Sequence, residues 1–299
     1  MNHSVTVRVP AKVNVQLAVG APRPDGFHDL ANVFLAVGLH DEVTVTPADT
    51  LRVTCSGPDA GQVPLDTTNL AARAATALAA RHGIAPDVHL HITKDIPVAG
   101  GMAGGSADGA AALLACDALW ATGATREELL EICAELGSDV PFSLIGGAAL
   151  GVGRGERLTP VEVGGTFHWV FAVADGGLST PAVYGEFDRL TAGTRVPEPT
   201  ASPALLTALR KGDTTALADA LSNDLQAAAL SLRPSLADTL AAGTAAGALA
   251  ALVSGSGPTT AFLTADEESA RKVADALLSS GTCREARVAT SPAAGATVV

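Results

Sequence analysis

The sequence predicts an α+β chain in two lobes. Three observations carry this: β-branched segments with two-residue alternation fill its beginning, capped stretches with helical spacing alternate with later strands, and 299 residues exceed what one compact core usually holds. In order, "SVTVRV" (4–9), "VNVQLAV" (13–19), "NVFLAVG" (32–38), "DEVTVTP" (41–47) and "LRVTC" (51–55) predict strands separated by turns. "NLAARAATALAARHG" (69–83) has helical spacing and stops at Gly83. "DVHLHITKDIP" (87–97) returns to alternation, with Val88, Leu90 and Ile92 on one face. A glycine-rich loop then enters a helix that runs to about Thr122. "TREELLEICAELG" (125–137) predicts the next helix, with Thr125 and Glu128 in capping-box spacing and Gly137 as its stop.

The second half has a different texture. "FHWVFAVA" (167–174) predicts a buried strand, and 191–203 a Pro/Ser/Thr-rich surface connection. Helices follow near 203–210, 214–222, 234–246 and 266–279, with strands near 259–263 and 285–289. The turn-rich "GVGRGERLTP" places the lobe boundary near residue 158, giving lobes 1–158 and 159–299. No internal repeat is visible.

Composition narrows the function. Nearly half the residues are apolar, at 47%, yet no apolar run of membrane-spanning length lacks interruption. "MNHSVTVRVPAK" lacks the layout of an export signal, so a cytoplasmic protein that meets no membrane is the expectation. Cys55, Cys116, Cys133 and Cys283 lie far apart, without the spacing of a disulfide framework or a zinc site. A formal charge of −12 opposes a nucleic-acid surface, which needs clustered Lys and Arg. Any phosphate bound here must be held locally.

"PVAGGMAGGSADGAAALLA" (97–115) offers the means. Glycines let a ligand approach main-chain amides, and a helix start supplies unpaired N–H groups and the positive end of the peptide dipole. Ser106, where loop meets helix, is placed to cap the helix, to touch a phosphate oxygen or to help hold magnesium. The stretch is neither a P-loop, since Ser106-Ala107 stand where Lys-Ser/Thr belong, nor a G-x-G-x-x-G fingerprint.

The same stretch resembles the signature P-x-x-x-G-L-G-x-S-S/A of the kinases that phosphorylate galactose, homoserine, mevalonate and phosphomevalonate. "PAKVNVQLAVGAPRPDGFHDL" (10–30), "GSDVPFSLIGGAALGVGRGE" (137–156) and "SGSGPTTAF" (254–262) resemble blocks of the 4-diphosphocytidyl-2-C-methyl-D-erythritol kinase family, so the likeness spans nearly the whole chain. The resemblance implies a two-lobed small-molecule kinase fold, with an ATP-binding N-terminal lobe like ribosomal protein S5 domain 2 and a ferredoxin-like C-terminal lobe. It implies transfer of the ATP γ-phosphate to the 2-hydroxyl of a cytidine-diphosphate-linked methylerythritol, in the non-mevalonate isoprenoid route. ATP is then the co-substrate, with Mg2+ whose ligands the sequence leaves unknown, and the partners are small molecules acting on a monomer or homodimer.

Residue by residue, the resemblance marks Asp139 as the base and Lys12 as its partner. Phe27 and Tyr184 become a stacking pair for cytosine and His28 the reader of its edge, with Asn14 and Thr180 near the methylerythritol. Asn69, Lys94, Pro97, Gly100, Gly101, Gly104, Gly105 and Ser106 fall on the ATP side. From the residues alone, Asn69 reads equally well as a helix cap and Lys94 as a solvated strand end. Gly255 and Gly257 are expected to approach the diphosphate or the glycine loop. The chain departs from the family at Phe27, where Tyr is usual, at Met102-Ala103, where Leu-Gly is common, and at Ala107-Asp108, where Ser-Asn is common. Two other readings compete: a homoserine- or mevalonate-type kinase, and a ligand sensor on the same scaffold that transfers no phosphate. The first gives no reason for Asp25-Gly26-Phe27-His28, and retention of Lys12 with Asp139 opposes the second.

Overall fold

The computed structural model describes residues 4–299; Met1, Asn2 and His3, part of the stretch read for an export signal, lie outside the described residues. The chain opens on two long antiparallel strands, β1 (Val5–Pro22) and β2 (His28–Pro47), where the sequence predicted four short ones. Each pair of segments is joined through a bulge instead of a turn. The register slips between Pro10 and Ala11 opposite the stretch from Val37 to His40, so Pro10, which has no N–H to give, sits where the ladder is already broken.

Next come β3 (Arg52–Ser56), a 3-10 turn at Ala60–Gln62, α1 (Leu70–His82), β4 (Val88–Thr93), α2 (Gly104–Trp120), α3 (Arg126–Leu136) and the short α4 (Val140–Ile145). The "turn-rich" stretch around residue 158 is in fact a hairpin, β5 (Ala148–Gly153) with β6 (Arg157–Pro160), hydrogen-bonded to β2. The expected boundary therefore falls inside a strand. The chain first enters the second sheet at β7 (Phe167–Val173), after Pro160.

The remaining elements are α5 (Thr180–Thr191), α6 (Pro203–Lys211), α7 (Thr214–Ala220), β8 (Ser222–Asn223), α8 (Gln226–Leu232), α9 (Leu236–Ala245), β9 (Ala250–Val253), β10 (Thr260–Thr264), α10 (Glu267–Ser280), β11 (Glu285–Ser291) and β12 (Thr297–Val298). Strands β7, β9, β10 and β11 form a second, antiparallel sheet in the order β11-β7-β10-β9, the split βαβ pattern of ferredoxin-like lobes. The two lobes are laced together: β8 and β12, late in the chain, both pair with β1.

α2 is the helix that positions the site. It is buried nearly all round, and its small residues permit close approach: a Cβ on Gly109 would stand 3.2 Å from Leu70 Cβ on α1. That explains why an alanine- and glycine-rich helix belongs at the centre of the first lobe. Among the described residues no helix is long and apolar enough to cross a membrane. All four cysteines are free thiols.

Candidate active site

A cleft of about 760 Å³ lies against the head of α2. At its floor α2 begins on Ala103, which has a left-handed backbone (φ 61°) and provides no side-chain cap. The first intrahelical bond runs from Ala107 N–H to Ala103 C=O, which leaves the amides of Gly104, Gly105 and Ser106 without helical partners. All three residues line the cleft, so the helix start is open to an anion. Ala103 occupies a position where glycine is common in the resembling family, and its left-handed backbone costs about 1 kcal/mol.

The loop before α2 is clamped from both lobes. Gly101 C=O accepts from Lys12 Nζ at 2.9 Å and from Ser254 Oγ at 3.1 Å, while Thr259 N–H donates to Gly100 C=O. Gly101 needs to be glycine: its φ is +77°, and a Cβ would lie 2.1 Å from Ser254 C=O. Gly255 meets the loop and Lys12 together, where a Cβ would stand 3.2 Å from Gly101 O and from Lys12 Nζ. Of the two roles expected for this glycine, contact with the loop is the one seen.

Lys12 Nζ also donates to Asn14 Oδ1 at 2.6 Å and lies 3.9 Å from Asp139 Oδ2. Burial pulls the Lys12 ammonium below the usual lysine range, and the nearby Asp139 charge offsets only part of that. Asn14 Nδ2 in turn donates to Asn32 Oδ1 at 2.6 Å, so a short polar chain across β1 and β2 fixes the ammonium. Asp139 stands just before α4, whose six residues are too few to show helical periodicity in the sequence.

Phe27, His28, Thr180 and Tyr184 also stand on the cleft wall. Phe27 is 48% exposed and carries the Arg154 guanidinium over its ring at 5.0 Å. Tyr184 packs on His28, with ring centroids 5.0 Å apart and a 34° tilt, and burial pushes its phenol above the usual range. Thr180 Oγ1 and Ser256 Oγ are hydrogen-bonded at 2.9 Å.

Three expected ATP-side residues do not line the cleft. Asn69 caps α1, accepting from Ala71 N–H at 2.8 Å and donating to Pro64 C=O at 2.7 Å, which uses both ends of its amide. Lys94 is buried beneath the loop, its ammonium 2.5 Å from Asp41 Oδ2 and 3.1 Å from Asp108 Oδ2. Pro97 lies outside the cleft wall as well. One ammonium serving two buried carboxyls is too little: burial, with Asp41 adding to it, pushes the Asp108 carboxyl well above the usual range. A Cβ on Gly104 would meet Lys94 Nζ at 2.8 Å, so the loop glycine makes room for this buried cation.

Sequence reasoning missed Asn32, Arg154, Ser256 and Asp188, all of which line the cleft. Asp188 alone left a local trace, four residues after Tyr184 on a helix.

The fold and this phosphate-ready helix start define a small-molecule kinase of the GHMP class. Residues 69–147 match the GHMP kinases N terminal domain and residues 205–282 the GHMP kinases C terminal family. A 4-diphosphocytidyl-2-C-methyl-D-erythritol kinase of Streptomyces avermitilis is 82% identical over 296 residues, which cover 99% of this chain and 100% of that protein. Its counterpart in Thermobifida fusca is 60% identical, covering 99% of this chain and 98% of that protein. A crystal structure of 4-(cytidine 5'-diphospho)-2C-methyl-D-erythritol kinase superposes with a TM-score of 0.79 at 31% identity, covering 96% of this chain and 99% of that one. Homoserine kinase from Cytophaga hutchinsonii, at 20% identity and a TM-score of 0.75 over 100% of this chain and 98% of its own, shares the fold. The chain belongs to the 4-diphosphocytidyl-2-C-methyl-D-erythritol kinase family.

Proposed function

We propose that this chain uses ATP to phosphorylate the 2-hydroxyl of 4-diphosphocytidyl-2-C-methyl-D-erythritol, giving the 2-phosphate and ADP in the non-mevalonate route to isoprenoid precursors. The observation that carries the reading is one cleft lined at one place by the open amides of Gly104 to Ser106, at another by His28 and Tyr184, and by Lys12 and Asp139 as well.

Phosphoryl transfer has a loose transition state, so the protein's work is alignment and charge stabilisation. The α2 amides and the helix dipole hold the triphosphate of ATP, which suits a chain with net charge −12 and few cations to spare. Asp139 accepts the proton of the acceptor hydroxyl as the new bond forms. Lys12, fixed by Asn14 and the Gly101 carbonyl, offsets charge on the moving phosphoryl group and orients Asp139. Its burial strengthens that interaction, because little water screens it. Phe27 and Tyr184 offer faces to the pyrimidine, His28 reads its edge, and Thr180 and Asn14 meet the methylerythritol.

Among the described residues no group of three or more His, Cys, Asp or Glu side chains could hold a metal on protein ligands alone. The donor set suits Mg2+, which keeps several waters and binds through one or two protein oxygens plus substrate phosphates. Ser106 Oγ, in the first turn of α2 on the cleft wall, would hold it, leaving the Asp139 carboxylate to accept the proton. When bound, the ion supplies neutralisation of charge on the β- and γ-phosphates.

The test is an ADP-release assay offering diphosphocytidyl-methylerythritol, homoserine and mevalonate side by side. Turnover of the cytidylyl substrate alone is expected. Turnover of homoserine or mevalonate in its place would overturn the assignment, and tight nucleotide binding without turnover of any acceptor would favour the sensor.

A further inference from the structure

We infer that Asp188 is a positioning residue that fixes the His28 ring in the form that accepts from a cytosine amino group and rejects a uracil. The inference rests on the proposed function, in which His28 faces the base.

α5 carries Tyr184, Phe187 and Asp188 at positions i, i+3 and i+4, which share one helix face. That face wraps the His28 ring. Tyr184 lies against it at 5.0 Å, Phe187 meets it edge-on at 6.0 Å and 80°, and Asp188 Oδ1 stands 2.8 Å from Nε2. The His28 side chain is only 5% exposed, so the ring has little freedom to turn. Its other nitrogen, Nδ1, has no protein partner among the described residues, and His28 lines the cleft.

The chemistry follows from the partner. An ionised carboxylate only accepts, so Nε2 must carry the hydrogen, and in a neutral imidazole Nδ1 is then an acceptor. Cytosine presents an amino donor at C4, whereas uracil presents a carbonyl acceptor there. Nδ1 thus pairs with the first and opposes the second. A ring free to change tautomer would lose that preference, because an Nδ1–H donor suits the uracil oxygen. In this role Asp188 acts on the base through His28, to which it is hydrogen-bonded.

Two variants separate this role from mere packing. Asp188→Asn keeps the size and can hold either tautomer, since its amide both donates and accepts; Asp188→Ala removes the contact. We expect Asp188→Asn to lower the ratio of kcat/KM for the cytidine substrate over its uridine analogue roughly tenfold. The change should sit mainly in KM for the cytidine form, with KM for ATP within about twofold and the melting temperature unchanged. Nitrogen-15 NMR of the histidine rings should show His28 as the Nε2–H tautomer in the wild type and a mixture in Asp188→Asn. A ratio unchanged in Asp188→Asn overturns the inference, even if Asp188→Ala lowers it together with the melting temperature. So does a wild-type His28 found as the Nδ1–H tautomer or as imidazolium. Failure of the parent reading looks different: a wild-type protein that turns over neither nucleotide, whatever the tautomer of His28.

Discussion

The two ends of the cleft are built from different materials. The part proposed to hold phosphate is main chain: amides of Gly104, Gly105 and Ser106 at a helix start, and a loop held through its carbonyls by Lys12, Ser254 and Thr259. The part proposed to hold the base is side chain: His28 from β2 enclosed by Tyr184, Phe187 and Asp188 of α5. The difference teaches where each end is fragile. A main-chain site fails when a Cβ is added, because the amides lose access or the loop cannot keep its backbone. A side-chain site fails when atoms are removed or a tautomer changes. Asp139 belongs to neither set, and Lys12 serves both the loop and Asp139.

The largest expected effect tests the residue in neither set. Asp139→Asn should lower kcat by about 10²–10⁴-fold with modest changes in either KM, as for loss of a general base; retention of kcat within tenfold would remove Asp139 from the chemistry.

The next compares a glycine of the loop with one in the first turn of α2. Gly101→Ala forces a left-handed residue against Ser254 C=O at 2.1 Å and should destabilise the fold by roughly 2–4 kcal/mol in chemical denaturation. Gly105→Ala meets nothing nearer than Leu70 Cδ1 at 4.0 Å, and alanine suits a helix better by about 0.5–1 kcal/mol. It should raise the melting temperature slightly while raising KM for ATP several-fold. Equal stability losses in both variants would break the main-chain account.

Tyr184→Ala should weaken the cytidylyl substrate by a stacking-sized amount, about 1–3 kcal/mol in KM, and leave ATP nearly untouched; equal losses for both substrates would erase the contrast between the ends.

The smallest effect is one of pH. Burial lowers the Lys12 pKa from its ordinary 10.5, so the charged form is lost as pH rises through that lowered value. The alkaline limb of kcat/KM should therefore fall below pH 10.5, and whatever activity Lys12→Arg keeps should lack the limb, since guanidinium stays charged. For stability the sign is opposite. A lysine whose folded pKa is depressed adds stability as pH climbs from that value to the unfolded one.

Much of this molecule was legible before any contact was known. Alternation in 4–9 and at Val88, Leu90 and Ile92, the Asn69 and Thr125 caps, the Gly83 and Gly137 stops and the glycine loop are local patterns, and each is found where the pattern put it. The elements that escaped lack such a pattern. α4 has six residues, β8 and β12 two each, and the last two exist only because β1 offers an edge to pair with. Two pairs of segments fused into β1 and β2 because the expected turns became one bulge, at Pro10/Ala11 opposite Val37 to His40, once each strand had a partner.

By itself the sequence determined the α+β class, the anion-ready helix start and the short list of chemically able side chains, because periodicity and chain chemistry are local properties. Only the tertiary structure decided that Asn69, Lys94 and Pro97 stand off the cleft, that one buried ammonium must serve Asp41 and Asp108, and that Asp188 grips a histidine 160 residues away. Such pairings depend on which surfaces the packed sheets and helices bring within hydrogen-bond reach, and no local pattern carries that information.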